Sequence, residues 1–136
     1  RSHPSPILTE HVRSLLENID SKIQLVNNSD LIKLIQDSEL VITFNNSTVC
    51  LDAISLNKPV ISLQTDDWSL DEEIVLNNGV LSISNSSDCE MYINKILTDY
   101  DFRKDLLNNS KLFLENYIHN SGTASKHLAK TISNLI

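Results

Sequence analysis

The chain has 136 residues, 40% hydrophobic and 21% charged, which is ordinary for one globular domain with its own core. Its formal net charge of -7 disfavours non-specific binding to nucleic acid, and no apolar run approaches the roughly 20 residues of a membrane-spanning helix. With only two glycines, Gly79 and Gly122, the sequence contains neither a G-x-G-x-x-G dinucleotide fingerprint nor a glycine-rich Walker loop.

The first 37 residues are predicted to form short strands and helices. These are a strand end at residues 1–4, a helix over 5–19, a strand over 22–26 and a helix over 31–37. Ser5 can cap the first helix, with Pro6 at its first position, and we expect Ser29 or Asp30 to cap the second. The sequence starts abruptly at residues 1–4, which look like the end of a strand. We therefore expect that the earlier residues of this strand, and a whole preceding domain, are absent from this sequence.

The remaining sequence alternates apolar strands with helices. Strands are predicted over residues 40–44, 59–63 and 80–83, and helices over 47–56, 70–78, 88–97, 101–118 and 123–135. Gly79 is expected to stop the helix before it, and Gly122 to separate the last two helices. The nearly continuous apolar run 40–44 is typical of a parallel strand with both faces covered. The pattern predicts an α/β class: a Rossmann-like parallel sheet with helices on both faces.

The turn Asn45-Asn46-Ser47-Thr48 is the strongest candidate for a binding site. It connects a strand to a helix, and the first backbone N–H groups of a helix lack partners within the helix. These amides and the positive end of the helix dipole favour an anion, commonly a phosphate. We therefore expect the amides and hydroxyls of Ser47 and Thr48 to bind a phosphate, with Asn46 beside them. The alternative is that Asn46 or Ser47 only caps the helix, which is compatible with anion binding.

Two further segments reach the sheet edge at which ligands of open α/β sheets bind. One is His3-Pro4, where the imidazole of His3 can donate to a phosphate or protonate a leaving group; a merely exposed histidine is the alternative. The other follows the strand over 59–63, where Gln64 and Trp68 are candidates for contacts with a base or sugar. Trp68 can instead pack against its own loop.

Acidic residues near these segments have two interpretations each. Asp52 lies one helical turn beyond Thr48, and its carboxylate suits the hydroxyl pair of a ribose, unless it is structural or solvated. The acidic residues around Trp68 either contact sugar hydroxyls or a metal, or they form a solvated loop that ends at a helix N-terminus. That cluster consists of Asp66, Asp67, Asp71, Glu72 and Glu73.

The stretch Asp37-Ser-Glu-Leu-Val-Ile-Thr-Phe-Asn-Asn-Ser-Thr, followed by Asp52-Ala and Asn57-Lys-Pro-Val-Ile, resembles the C-terminal domain of GT-B glycosyltransferases. The most similar groups are capsule and surface-polysaccharide transferases, bacterial sialyltransferases and CDP-glycerol glycerophosphotransferases. His3-Pro4 and Ser47-Thr48 match in type and order the His-Pro and Ser-Ser or Ser-Thr motifs that lie near the donor phosphate in these families. At the place of Asp52 the families usually have a glutamate that binds the donor ribose.

The resemblance implies that residues 1–136 are a single nucleotide-donor-binding domain, the C-terminal half of a GT-B fold, whose acceptor domain is absent. Its donor would be a CMP-, CDP- or UDP-linked sugar or glycerol, with His3 in a catalytic role, no cofactor and no bound metal. A glycan or lipid-linked acceptor would bind through the missing domain. We expect a cytoplasmic transferase that binds no nucleic acid, is inactive as this chain alone and, at full length, can associate peripherally with a membrane.

Two other functions fit the sequence. A UDP-N-acetylglucosamine 2-epimerase-like enzyme has the same architecture, although that family has a glycine-rich version of the turn where this chain has Asn45-Asn46-Ser47-Thr48. A non-catalytic α/β binding module is the other alternative. A receiver domain is disfavoured because Thr43-Phe44-Asn45 supplies no aspartate for phosphorylation at the strand end.

Overall fold

A computed structural model describes residues 15–16, 19–20, 22–24, 26, 30–45, 47–65, 73–85, 87–118 and 122–135. The chain divides into two compact units, Arg1–Asp37 and Ser38–Ile136. The strand end expected at residues 1–4 lies outside the described residues, as does most of the helix expected over 5–19, of which Leu15 and Leu16 are helical.

The first unit contains helix α1 (Leu31–Asp37), with the bounds that the sequence predicts. Asp30 caps it, because its Oδ1 accepts the backbone N–H groups of Ile32 at 3.0 Å and Lys33 at 3.4 Å. These bonds pair N–H groups that have no partner within the helix, which is why an aspartate at this position fixes the start of α1.

The prediction of a strand over residues 22–26 is wrong for the described residues of this range, 22–24 and 26, because none of them is part of a strand. Asp20 turns the backbone there instead. Its Oδ1 accepts the N–H of Lys22 at 2.9 Å, and its carbonyl accepts the N–H of Ile23 at 3.1 Å. An Asx turn of this kind offers the backbone an alternative to strand pairing.

The second unit begins with β1 (Val41–Phe44), α2 (Val49–Ser55), β2 (Val60–Leu63), α3 (Glu73–Leu76) and β3 (Leu81–Ile83). It continues with helices α4 (Ser87–Thr98), α5 (Tyr100–Tyr117) and α6 (Ala124–Ser133). The strands form one parallel sheet in the order β1-β2-β3, with Val41 opposite Val60 and Ile61 opposite Leu81. Helices surround this sheet, which confirms the predicted α/β Rossmann-like fold.

The core of this unit joins the sheet to α4 and α5. Ile61 and Ile83 from neighbouring strands pack with Ile96 of α4 and Leu106 of α5, and all four side chains are buried. Burying an aliphatic side chain of this size contributes about 1.5–3 kcal/mol, so this cluster fixes the two helices on one face of the sheet.

One face of β1 departs from the expectation that helices cover both faces. Ile42 is 41% exposed and Phe44 68% exposed, whereas Thr43 between them is buried. Successive side chains of a strand point to opposite faces, so Ile42 and Phe44 share the open one. The core helices pack over β2 and β3, and β1 is the edge strand of the sheet that the structure describes.

Helices α2 and α3 end in the same way, with an asparagine in the left-handed region. Asn57 has φ 56° and Asn78 has φ 54°, and the next residue in each case bonds back across the last turn. The N–H of Lys58 donates to Ala53 O at 3.0 Å, and that of Gly79 donates to Ile74 O at 2.8 Å. This is the Schellman pattern, in which asparagine replaces the usual glycine.

Gly79 therefore has a different role from the expected one of stopping the helix. A Cβ at Gly79 would lie 2.8 Å from Cγ and Cδ1 of Phe113, so the missing side chain lets α5 approach. The Oγ of Ser110, also on α5, lies 2.8 Å from Gly79 O and donates to it. Gly122 has φ 72° between the last two helices, as its place in the sequence predicts.

Candidate ligand-binding cleft

The turn after β1 is fixed to the end of β2 by hydrogen bonds. Asn45 adopts φ 49°, and its N–H donates to Leu63 O at 2.8 Å. Its carbonyl accepts the Ser62 hydroxyl at 2.6 Å and the Ser47 N–H at 3.1 Å. Asparagine tolerates the left-handed region better than most residues, so Asn45 can turn the chain sharply toward α2.

The backbone amides of Val49, Cys50 and Leu51, the first three residues of α2, are already bonded, so the expectation that the helix-start amides lie free for an anion is wrong for these three. The N–H of Val49 donates to Ser47 Oγ at 3.3 Å, that of Cys50 to Ser47 O at 2.9 Å, and that of Leu51 to Thr48 O at 3.0 Å. Helix α2 begins at Val49 and not at Ser47, because this tight turn precedes it. Ser47, which precedes the N-cap residue Thr48, thus pairs one of the helix-start N–H groups with its side chain, as the alternative interpretation expects.

The hydroxyls of Ser47 and Thr48 remain able to bind a ligand. Ser47 Oγ uses a lone pair to accept the Val49 N–H, which leaves its proton for donation to another group. The Thr48 side chain makes no capping bond to the described helix α2 and is exposed. Both residues border a cavity of about 270 Å³, together with Leu51, Glu73, Ile74, Phe113 and Tyr117.

A second cavity of about 260 Å³ adjoins the first, because Glu73, Phe113 and Tyr117 line both. Its other lining residues are Asn77, Leu112 and Asn116. We treat the two neighbouring cavities as one cleft, with the hydroxyl groups of Ser47 and Thr48 bordering the first and the carboxamides of Asn77 and Asn116 bordering the second. We call it the α2–α5 cleft.

The aromatic rings of Phe113 and Tyr117 form one wall of the α2–α5 cleft. Their centroids lie 5.0 Å apart and their planes differ by 21°, so the rings stack. Phe113 is buried, whereas Tyr117 at the last position of α5 is 49% exposed. Sequence reasoning missed both rings, although their spacing of four residues places them on one face of a helix.

Glu73 borders the cleft, and it belongs to the acidic cluster for which the sequence leaves open contact with sugar hydroxyls or a metal and a solvated loop. It is the first residue of α3 and lines both cavities. A carboxylate repels a phosphate and accepts hydrogen bonds from sugar hydroxyls. Asp52, the candidate for ribose binding, is exposed on α2 and is not among the residues that border either of these two cavities.

Gln64, which was expected to contact a base or sugar, is buried at the carboxyl end of β2. It is 5% exposed, and its Nε2 donates to Ser62 Oγ at 3.0 Å. Ser62 in turn donates to Asn45 O, so Gln64 supports the turn that carries Ser47.

The other predicted site residues, His3, Pro4, Asn46 and Trp68, lie outside the described residues.

Cys50 is buried beneath this turn and close to Thr43, with 3.2 Å between Sγ and Thr43 Oγ1. Burial raises the pKa of the Cys50 thiol, and the hydrogen bond to Thr43 offsets part of this effect. A thiol with a raised pKa is a poor nucleophile at neutral pH, so Cys50 serves packing and not chemistry.

Comparison of the sequence and structure with known proteins identified no relative of this chain. No protein-family model matches the chain, and neither a curated protein nor a solved structure matches it significantly. Within the described ranges, none of the helices combines the length and hydropathy that crossing a bilayer requires.

Proposed function

We propose that this chain binds a nucleotide-linked donor and forms the donor half of a glycosyltransferase or glycerophosphotransferase of surface-polysaccharide biosynthesis. The donor would be a CMP-, CDP- or UDP-linked sugar or glycerol. A preceding domain would bind the glycan or lipid-linked acceptor, and the enzyme would work in the cytoplasm.

The position of Ser47 and Thr48 carries this proposal. They follow β1 at the carboxyl end of a parallel strand and border the α2–α5 cleft. Ligands of open α/β sheets bind at this edge, and donor phosphates are recognised by groups that donate hydrogen bonds. The sequence resemblance to GT-B donor domains rests in part on the same two residues.

In this proposal the two hydroxyls contribute most when charge develops on the leaving phosphate. The backbone turn that carries them is fixed in advance by the bonds that Asn45 makes to Ser62 and Ser47, so the turn needs little reorganisation during transfer. His3 would add a proton or hydrogen bond on the strength of its sequence motif.

A non-catalytic α/β binding module is the second candidate, and one observation favours it. The N–H groups of Val49, Cys50 and Leu51 are bonded within the turn, so phosphate recognition has to rely on side-chain hydroxyls. A module that only binds a small polar ligand needs no stronger anion site. The two candidates differ in whether the full-length protein transfers a sugar or glycerol group.

Thr48→Val separates ligand binding from helix capping. It removes the hydroxyl but keeps the branched shape, and the Thr48 side chain makes no capping bond to the described helix α2. We expect the melting temperature to stay nearly constant while the Kd for CDP, measured by calorimetry, rises about 10-fold or more, since hydrogen bonds to charged groups contribute about 1.5–3 kcal/mol. Ser55→Ala, an exposed change at the other end of α2, is the matched control. Unchanged CDP affinity in Thr48→Val would contradict the proposed phosphate site.

A further inference from the structure

We infer that Tyr117 stacks on the planar base of the nucleotide whose phosphate binds at Ser47 and Thr48. This inference rests on the proposed function and extends it to the far end of the α2–α5 cleft. It assigns the base to a residue at the end of α5 and not to the loop after β2.

The ring of Tyr117 is held in place from one side. Phe113 stacks against it with 5.0 Å between the ring centroids, and Phe113 itself is buried against Gly79. An aromatic ring that is fixed on one face and half-exposed is suited to receive a second planar ring on the other face. Base–aromatic stacking tolerates any base, so Tyr117 supplies affinity without choosing between cytosine and uracil.

Tyr117 also lies at the right place along the cleft. It borders the cavity with Ser47 and Thr48 and the cavity with Asn77 and Asn116. A nucleotide that places its phosphate at the hydroxyl end therefore extends past Tyr117 toward the two carboxamides. Asn77 Nδ2 donates to Glu73 O at 2.9 Å, which leaves its Oδ1 to accept from the edge of a base.

The hydroxyls of Ser47 and Thr48 favour this orientation of the ligand over the reverse one, because they border only the first cavity. Glu73 borders both cavities, so its carboxylate repels a phosphate in either of them. Among the described residues that border the second cavity there is no serine or threonine to offset the repulsion. A neutral base avoids this cost, and ribose hydroxyls between the two ends can donate to the carboxylate.

The test compares two ligands that differ only by the base. CMP and ribose 5-phosphate are titrated by calorimetry into the 136-residue chain with Tyr117, with Tyr117→Phe and with Tyr117→Leu. We expect Tyr117→Leu to raise the Kd of CMP about 5- to 100-fold, which is the range for loss of one base–aromatic stack. Tyr117→Phe keeps the ring and should bind CMP like the parent. Ribose 5-phosphate should bind all three proteins equally.

Any other result would contradict either the role of Tyr117 or the proposed function itself. Tyr117→Leu with parental CMP affinity overturns the inference and leaves the proposed function standing, as does an equal loss for CMP and ribose 5-phosphate, which would indicate a structural role. No nucleotide binding by the parent chain overturns both. Tyr100→Leu, an exposed tyrosine at the start of α5 away from the cleft, is the matched control and should bind CMP normally.

Discussion

The side chain of Asn45 joins the ends of β1 and β2 by accepting two hydrogen bonds from Thr65. The Thr65 N–H lies 2.8 Å from Asn45 Oδ1, and the Thr65 hydroxyl lies 3.1 Å from it. With the bond from Ser62 to Asn45 O, one residue in the left-handed region fixes the turn that carries Ser47 and Thr48. The geometry of the candidate phosphate site therefore depends on Asn45.

Asn45→Ala should lower the free energy of unfolding by about 2–3 kcal/mol. Alanine loses the bonds to Thr65 and is strained at φ 49°, where a side chain costs about 1–2 kcal/mol. Asn45→Gly loses the same bonds without the strain, so it should cost about 1 kcal/mol less. Urea denaturation of the three proteins measures both differences. Equal stability of the alanine and glycine variants would show that the left-handed backbone is unimportant.

Gly79→Ala should destabilise the second unit by about 1–3 kcal/mol, because the new Cβ overlaps the ring of Phe113. The cost should shrink in a Phe113→Ala background, where the Cγ and Cδ1 atoms that meet the new Cβ are gone. A double-mutant cycle by urea denaturation measures this coupling. The same cost in both backgrounds would mean that Phe113 does not define the space at Gly79.

The raised pKa of Cys50 predicts an alkaline loss of stability. The folded protein holds the thiol proton above the ordinary pKa of 9.0, so the unfolded chain binds fewer protons there and stability falls as pH rises. The difference in unfolding free energy between the parent and Cys50→Ala should be constant at neutral pH and decline above about pH 9, by at most about 1.4 kcal/mol per pH unit. A difference that stays flat to pH 10.5 would place the thiol in contact with water.

Glu73 and Asp52 compete for the role of ribose partner. Because Glu73 borders the cleft, we expect Glu73→Gln to weaken binding of cytidine and to strengthen binding of inorganic phosphate by removing repulsion. Asp52→Asn is the matched change on α2. If Asp52→Asn alone weakens cytidine binding, the ribose lies against Asp52, as the sequence motif predicts. Ligand-observed NMR titrations with cytidine and phosphate distinguish the two.

The sheet and the long helices could be predicted from the sequence because each corresponds to a local pattern of apolar residues. Residues 40–44, 59–63 and 80–83 are compact apolar runs, and the strands lie within them. The end of α3 was assigned to Gly79, although Asn78 takes the left-handed conformation. Either residue can adopt a positive φ, and only the approach of Phe113 shows why glycine is needed at position 79.

The cleft could not be predicted in the same way because its walls are distant in the chain. Ser47 and Tyr117 border one cavity but are separated by several elements, and nothing local in the last turn of α5 indicates a ligand. The expectation of free amides at the start of α2 was wrong for Val49, Cys50 and Leu51, because Ser47 and Thr48 supply acceptors for them through a turn that the sequence does not specify. Local patterns identify the elements, whereas the site depends on how they pack.

The most direct test of nucleotide binding is a calorimetric panel of CMP, CDP, UMP, UDP and ADP against this chain. The proposed function predicts saturable binding of at least one pyrimidine nucleotide, and its loss when Ser47→Ala and Thr48→Val are combined. Binding that survives the double change would move the phosphate away from the turn after β1. No binding by any of the five nucleotides would contradict the assignment of this chain as a donor-binding domain.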